Sequence, residues 1–134
     1  MLQSSKSEPL ASERSGAQYS FDITQEPGKA LNFQFSFAAD WENRIEVADR
    51  HGNILADVNG NNRPYSELNI PQNQTNTSTY FRVRGFFKYK RDGNVPWAST
   101  LGMRTDPAPG KIRIGFQDQP YPEFNNAVVI ITVT

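Results

Sequence analysis

At 134 residues the chain predicts a single domain that can bury a core without help from a metal or a disulfide. It has no cysteine, which excludes thiol catalysis, disulfide bonds and thiolate metal sites. Its 14 Lys and Arg residues balance 14 Asp and Glu residues, and this zero formal charge excludes a net field that would attract an anionic membrane or nucleic acid, so nucleic acid is not an expected partner.

Residues 1–17 are rich in Ser, Glu, Lys and Ala and show no hydrophobic periodicity. They predict an arm that is flexible or bound by a partner, and residues 18–134 are predicted to form the folded domain. The start of the chain lacks an apolar segment of signal-peptide length, and no run of about 20 apolar residues could cross a bilayer. We therefore expect a soluble protein without membrane insertion, either cytoplasmic or part of an extracellular or virion assembly.

After the arm, apolar and polar residues alternate with a period of two, which predicts strands with one buried face. The first strand places Tyr19 and Phe21 on its buried face, and the second covers Leu31–Phe37. Between these strands Pro27 and Gly28 follow each other in the order that a type II turn favours. A tight turn is therefore predicted to connect the first two strands.

A second hairpin is predicted over residues 44–55, with its turn at Gly52. Residues 57–79 follow, a long stretch rich in Asn, Gln, Ser and Thr that allows only a short strand near residues 68–70. Long irregular segments in compact domains often carry function, so this stretch is a candidate binding region.

Residues 80–91 predict one long strand, with a bulge or bend at Gly85. One face of this strand is apolar, and the other is basic around one aromatic ring. The basic face carries Arg82, Arg84, Phe86, Lys88 and Lys90. Such a face could bind phosphate, sulfated glycan or single-stranded nucleic acid. Alternatively, it pairs with acidic residues of neighbouring strands such as Glu42, Glu46 or Asp49, and the zero net charge favours this pairing.

Three further strands are predicted over residues 97–104, Lys111–Phe116 and Ala127–Val133, with a breaker at residues 105–110. The last of these strands is apolar and β-branched along its length, which predicts burial on both faces. About seven or eight strands, short turns and no convincing helix predict an all-β fold, a single antiparallel β-sandwich.

Oxygen-bearing side chains collect in residues 117–126, directly before the last strand. The candidate ligand-binding residues of this loop are Asp118, Glu123, Asn125 and Asn126. Calcium takes roughly six to eight oxygen ligands at flexible geometry, so a single Ca²⁺ held by Asp118, Glu123 and Asn125 is one interpretation. A metal-free ligand site is a second, and a turn in which the asparagines bond their own backbone is a third.

The segment GFQDQPYPEFNNAVVIITV, residues 115–133, matches much of the pattern G-x-E-D-x-x-D-x-D-Y-N-D-A-V-V. The matching positions are Gly115, Asp118, Phe124 (for Tyr), Asn125, Ala127, Val128 and Val129. These residues resemble the C-terminal signature of the calcium-dependent fucose- and mannose-binding bacterial lectins, whose acidic positions hold paired calcium ions that bind sugar hydroxyls. The acidic positions are changed here to Gln117, Tyr121, Glu123 and Asn126. The resemblance implies a lectin-like loop that has lost most of its metal chemistry, so no cofactor is required.

A second polar stretch, beginning DVNGNN, offers an amide-rich surface. Its candidate ligand-binding residues are Asp57, Asn59, Asn61, Asn62 and Tyr65. An Asn side chain carries both a donor and an acceptor, which suits pairs of sugar hydroxyls, and Tyr65 could stack on a sugar ring. The alternative for this stretch is a turn-rich loop without a ligand.

Residue types that support catalysis are scarce. His51 is the only histidine and lies in the predicted hairpin turn. Asp118 and Glu123 stand in one loop, and nothing places them on opposite sides of a sugar as a glycosidase requires. The sequence has no nucleophile elbow, no phosphate-binding glycine loop and no histidine cluster. We therefore do not expect an enzyme.

Together these patterns predict a non-enzymatic, lectin-like binding module that contacts carbohydrate or a similar polyhydroxyl surface through loops around residues 57–65 and 117–126. Calcium is optional, and a homo-oligomer is expected because weak single-site contacts gain from multivalency. A structural or assembly subunit, such as a decoration protein of a virion, filament or cell surface, is the alternative. The polar arm and the sheet edges that a neighbour could pair favour that alternative.

Overall fold

The computed structural model describes residues 16–38, 43–60, 67–88, 96–117 and 127–134. Within these ranges the chain forms ten β-strands and no helix, so no helix there is long or apolar enough to cross a membrane. The strands are Ser20–Gln25 (β1), Leu31–Phe37 (β2), Asn43–Asp49 (β3), Ile54–Asn59 (β4), Glu67–Ile70 (β5), Thr79–Phe87 (β6), Ala98–Thr100 (β7), Gly102–Ala108 (β8), Lys111–Phe116 (β9) and Ala127–Val133 (β10).

The strands form two antiparallel sheets. The first sheet has the order β1-β6-β3-β4, and β7 pairs with β6 beyond the end of β1. The second has the order β5-β2-β10-β9-β8. Along one side the sheets are joined, because the Gln18 amide donates to the Gly102 carbonyl at 3.0 Å and the Gly102 amide donates to the Gln18 carbonyl at 2.7 Å. The predicted all-β antiparallel sandwich is confirmed.

The core lies between the two sheets and takes every second side chain of the central strands, as the pleat of a strand requires. Its buried residues are Phe21, Ile23, Ile45, Val47, Phe81 and Val83 from the first sheet, and Leu31, Phe33, Phe35, Phe37, Ile114, Phe116, Ala127, Val129 and Ile131 from the second. Burying one large apolar side chain contributes roughly 1.5–3 kcal/mol. This alternation is therefore the main source of the fold's stability.

Both predicted turns form around a glycine with positive φ. Gly28 has a φ of 83°, and the Lys29 amide donates to the Glu26 carbonyl at 3.1 Å across the turn. Gly52 has a φ of 87°, and its amide donates to the Asp49 carbonyl at 3.0 Å. A left-handed backbone favours glycine because it has no Cβ, so both predicted turns are confirmed. Only the turn at Gly52 closes a hairpin, between β3 and β4. The turn at Gly28 leads from the first sheet to the second, because β1 pairs with β6 and β2 pairs with β5 and β10.

Some strand boundaries differ from the sequence pattern. Tyr19 is 57% exposed instead of buried, because pairing of β1 begins one residue later. Residues 97–104 form two strands, since Leu101 lies where the chain passes from the first sheet to the second. Residues 105–108, predicted to interrupt the strands, instead belong to β8, although the pairing of β8 with β9 is irregular after Thr105. These differences, with the short β5, bring the strand count in the described residues to ten.

The last strand is buried on one face only. Ala127, Val129 and Ile131 are fully buried, whereas Val128 and Ile130 on the outer face are only partly buried. The prediction of burial on both faces is therefore wrong. The strand lies in the middle of the second sheet between β2 and β9, so its neighbours shield the outer side chains from the sides without covering them.

Gly85 provides space for an aromatic ring and does not form a bulge. β6 pairs with β3 without a shift of register, and the shift lies instead between β3 and β4. A Cβ on Gly85 would collide with the ring of Phe116, and one on Gly102 would come within 2.7 Å of the same ring. The Phe116 ring also meets Phe21 edge to face, with centroids 6.1 Å apart. The predicted bulge at Gly85 is wrong because the ring occupies the place of a side chain.

We expect Gly85→Ala to lower the free energy of unfolding by about 1–3 kcal/mol, because the added methyl group overpacks the core against Phe116. Phe116→Leu alone should also lower the free energy of unfolding. In the double variant, however, Gly85→Ala should cost less than it does in the wild type, because the smaller leucine side chain makes room for the added methyl group. Urea unfolding of the wild type, the two single variants and the double variant measures this coupling. Additive effects would contradict the contact.

Candidate functional site

Strand ends from both sheets meet at one end of the sandwich. In the second sheet Ala127, the first residue of β10, pairs with the last residues of β2 and β9, Phe37 and Phe116. In the first sheet Asn43, the first residue of β3, pairs with Phe87, the last residue of β6. The Phe116 ring packs on β6 near its end and so brings the two sets of strand ends together. We refer to this as the loop end.

Four segments that lie outside the described residues are attached at the loop end. They are residues 39–42, 61–66, 89–95 and 118–126. The last of these contains the predicted site residues Asp118, Glu123, Asn125 and Asn126, and therefore also the predicted calcium ligands, all outside the described residues. Their attachment points are described, and these show how firmly the base of this end is held.

The segment 118–126 is attached at two fixed points. Before it, Gln117 is buried, its amide donates to the Leu101 carbonyl at 3.2 Å, and its carbonyl accepts a hydrogen bond from the Thr100 hydroxyl. After it, Ala127 is fully buried between two neighbouring strands. The residues on either side of this segment are therefore held by the two sheets.

The other predicted group of site residues is divided by the structure. Asp57 and Asn59 lie on β4, where they pair with β3, so the expectation of a loop at these two positions is wrong. Asn61, Asn62 and Tyr65 lie outside the described residues. Asn59 is exposed near the loop end.

The Asp57 carboxylate accepts two hydrogen bonds from Arg44. Arg44 donates from Nε to Oδ1 at 2.6 Å and from Nη2 to Oδ2 at 3.0 Å. This paired contact raises the pKa of Arg44 above its ordinary value, with a further contribution from the charge of Glu46. Two parallel bonds of this kind are stronger and more directional than a single contact. Asp57 therefore orients Arg44, in addition to the ligand role predicted from the sequence.

The two arginines on the basic face of β6 are paired with acidic neighbours, as predicted. Glu46 lies between two guanidinium groups, bonding Arg84 and contacting Arg44 at 3.4 Å, and its side chain is only 9% exposed. Arg82 bonds Asp22 of β1 at 3.1 Å, and this hydrogen bond raises the pKa of Arg82. Glu46 was an expected partner, whereas Asp22 was not.

Cations also lie over aromatic rings at the loop end of the first sheet. The Arg44 guanidinium carbon lies 5.0 Å from the ring centroid of Phe86 and 5.6 Å from that of Trp97. Arg84 lies 5.6 Å from the Phe86 centroid, and the Lys88 Nζ lies 5.0 Å from that of Trp97. We call Arg44, Arg84, Phe86, Lys88 and Trp97 the cation–aromatic cluster. Distances of this size are within the range of cation–π attraction.

Sequence reasoning did not find Arg44, which contacts two carboxylates and two aromatic rings, those of Glu46, Asp57, Phe86 and Trp97. The available signal was weak, since Arg44 and Glu46 alternate on β3 in the way that any exposed strand face does. Their importance depends on the register, which sets Arg44 opposite Phe86 and Glu46 opposite Arg84. Alternation identifies the face of a residue and not its cross-strand partner.

The described residues contain no group of three His, Cys, Asp or Glu side chains placed to hold a metal ion. His51 is an exposed turn residue whose backbone amide donates to Asp49 Oδ1 at 2.9 Å. Asp49 also accepts from the side chain of Asn53, and this bond is the main cause of its lowered pKa. These contacts stabilise the hairpin, so the turn interpretation of His51 accounts for its surroundings.

The described architecture defines a class, a two-sheet antiparallel sandwich with several segments attached at one end. The chain is similar to the high-affinity mannose-binding lectin of Ralstonia solanacearum, with a TM-score of 0.54, 11% identity, and coverage of 88% of this chain and 95% of the lectin. It is similar to the C-terminal domain of the BC2L-C lectin from Burkholderia cenocepacia, with a TM-score of 0.53, 14% identity, and coverage of 86% and 95%. At these identities the likeness shows a shared fold.

No protein-family model matches the chain, and no curated protein matches it in sequence.

We expect Glu46→Gln to lower the free energy of unfolding by about 1–3 kcal/mol, because it removes the only carboxylate that contacts Arg84 among the described residues and leaves two guanidinium groups close together. Asp22→Asn is the matched control, since it breaks an ion pair on the same face that is about half exposed, and it should cost at most about 1 kcal/mol. Urea unfolding compares the two variants. Equal losses would contradict a special role for Glu46.

Proposed function

We propose that the protein is a non-enzymatic carbohydrate-binding module of the lectin type, with its binding site at the loop end. The observation that supports this most directly is the shared fold with a protein named as a mannose-binding lectin, over 88% of this chain. The buried supports of Gln117 and Ala127 add to it, because a weak ligand is bound best by groups that are already held in place.

The proposed contacts combine two groups of residues at this end. The first group is Asp118, Glu123, Asn125 and Asn126, and the second is Asp57, Asn59, Asn61, Asn62 and Tyr65. Amide and carboxylate groups suit neighbouring sugar hydroxyls, which both donate and accept, and Tyr65 would stack on the ring. Asn59 is the last residue of β4 and is exposed, which supports its place in this set.

Sugar binding is proposed to be independent of metal. Residues 117–126 contain two carboxylates, at Asp118 and Glu123, whereas the lectin signature that they resemble has more acidic positions. A site for two divalent ions needs negative charge to offset them, and most of that charge is missing. A single Ca²⁺ held by Asp118, Glu123 and Asn125 is the form in which metal would still take part. Homo-oligomers are proposed to raise the avidity for glycoconjugate surfaces.

We expect the metal-free protein to bind mannose-bearing oligosaccharides, and EDTA to leave the affinity unchanged. Asn125→Ala should weaken binding by roughly tenfold through the loss of hydrogen bonds to the sugar. Asn69→Ala is the control, an exposed amide on β5 away from the loop end. Isothermal titration calorimetry measures the affinity of the wild type with and without EDTA and the affinities of the two variants. Loss of binding in EDTA would replace the metal-free site by the single-calcium site, and no binding to any neutral glycan on an array would contradict the proposed function.

A structural or assembly subunit is the second candidate, and the edge strand β4 favours it. Within the described residues β4 pairs only with β3, so its other side offers free backbone donors and acceptors. Ile54 and Leu55 at its start are 50% and 39% exposed. An exposed edge with apolar side chains is a surface on which a neighbouring subunit could add a strand.

If β4 mediates assembly, Leu55→Lys should dissociate it, because a charged residue on an edge strand opposes strand pairing. Tyr19→Lys is the control, since Tyr19 is also an exposed apolar residue but lies outside the strands. Sedimentation velocity over a range of concentrations measures the assembly. A wild-type protein that stays monomeric throughout, or an equal effect of both variants, would contradict assembly through β4.

A further inference from the structure

The outer face of the first sheet carries side chains in rows that cross its strands. Arg44 lies opposite Asn59 on one side and Phe86 on the other, and Phe86 lies opposite Ser99. Residues that pair directly across strands share a face of the sheet. This row therefore has a cation and a ring at its centre and an exposed polar side chain, Asn59 or Ser99, at each end.

The neighbouring rows supply charge on one side and a second ring on the other. Toward the middle of the sheet, Glu46 lies opposite both Arg84 and Asp57. Toward the loop end, Lys88 and Trp97 complete the cation–aromatic cluster. The surface thus places two aromatic rings between cations, with hydroxyl and amide groups at its margin.

Among the described residues, the charges on this surface do not cancel. Its three cations, Arg44, Arg84 and Lys88, face two carboxylates, those of Glu46 and Asp57. Both arginines bond a carboxylate, whereas Lys88 lies over the Trp97 ring, with no carboxylate bonded to it among the described residues. Among the described residues, Lys88 is therefore the cation of this surface without an ion pair, and it lies next to a partly exposed indole ring.

We propose that the cation–aromatic cluster is a second saccharide site, one that binds acidic sugars carrying a carboxylate or sulfate group. The acidic group bonds Lys88, the sugar ring packs on Trp97, and hydroxyl groups bond Asn59 or Ser99. This inference goes beyond the proposed function, because it concerns a charged ligand and a surface that adjoins the loop-end site and shares only Asn59 with it as a ligand contact. It also gives a use to Lys88, for which the described residues provide no carboxylate partner of the kind that Arg82 and Arg84 have.

Charge and size favour a saccharide over nucleic acid here. Nucleic acid is held mainly by several phosphate contacts at once, whereas the described part of this surface has three cations and two carboxylates, and the whole chain has zero formal charge. Arg82, the next cation along β6, is already bonded to Asp22. A short acidic sugar needs one ion pair, one ring face and a few hydroxyl contacts, all of which lie within this cluster.

The test is calorimetric titration of the full chain with three oligosaccharides of equal length: a sulfated one derived from heparin, a polygalacturonate fragment and a neutral mannan fragment. We expect Lys88→Gln to weaken binding of an acidic oligosaccharide by roughly tenfold, the loss typical of one charge-assisted contact. Binding of the neutral fragment should be unchanged. Trp97→Leu should also weaken binding of the acidic oligosaccharide. Whichever acidic oligosaccharide loses affinity in these variants identifies sulfate or carboxylate as the recognised group.

Arg82→Gln is the matched control, because Arg82 lies on β6, the strand that ends directly before Lys88, and its loss changes the net charge equally. It should alter the affinity by less than about twofold. Failure of both acidic oligosaccharides to bind, an equal loss in Arg82→Gln, or equal binding of an oligothymidylate would overturn the proposal. Loss of mannan binding with acidic binding retained would contradict the loop-end site alone, so the two proposals fail separately.

Discussion

The packing of one aromatic ring against two glycines sets the arrangement of both sheets. Phe116 of the second sheet occupies the space where Gly85 of the first sheet would carry a side chain, and Gly102 of β8 leaves room on its other side. Phe21 completes the contact edge to face. The residue after this ring is Gln117, where the segment with the proposed sugar ligands begins. The contact that closes the core therefore also holds the base of the loop end.

The two proposed saccharide surfaces adjoin each other and differ in chemistry. The loop end is bordered by exposed amides such as Asn59, whereas Arg44 beside it carries charge and covers an aromatic ring. Glu46 and Asp57 hold Arg44 in a defined orientation, so the ring faces and cations of the sheet form a fixed surface. The fold is shared with proteins named as lectins at low identity, so the ligand preference of the two proposed surfaces would depend on such differences in side-chain chemistry.

Local patterns predicted the parts of the structure that depend on neighbours in sequence. The alternation in β2, the turns at Gly28 and Gly52, and the two-sheet class all follow from residues a few positions apart. The role of Gly85 depends on Phe116, 31 positions along the chain, and the bonds of Arg44 depend on strand register. A single sequence contains no signal for such pairs, so a packing glycine resembled a bulge, and Arg44 resembled an ordinary exposed residue.

The sandwich is closed on one side and open on the other. Gln18 and Gly102 exchange two backbone hydrogen bonds where β8 lies beside the start of the chain's first strand. On the opposite side, β4 and β5 are the outermost strands of their sheets, and β5 has four residues. Thermal opening should therefore begin at β4 and β5, while the side that supports Gln117 stays intact. Opening of that edge alone would leave the backbone hydrogen bonds of Gln18, Gly102 and Gln117 in place.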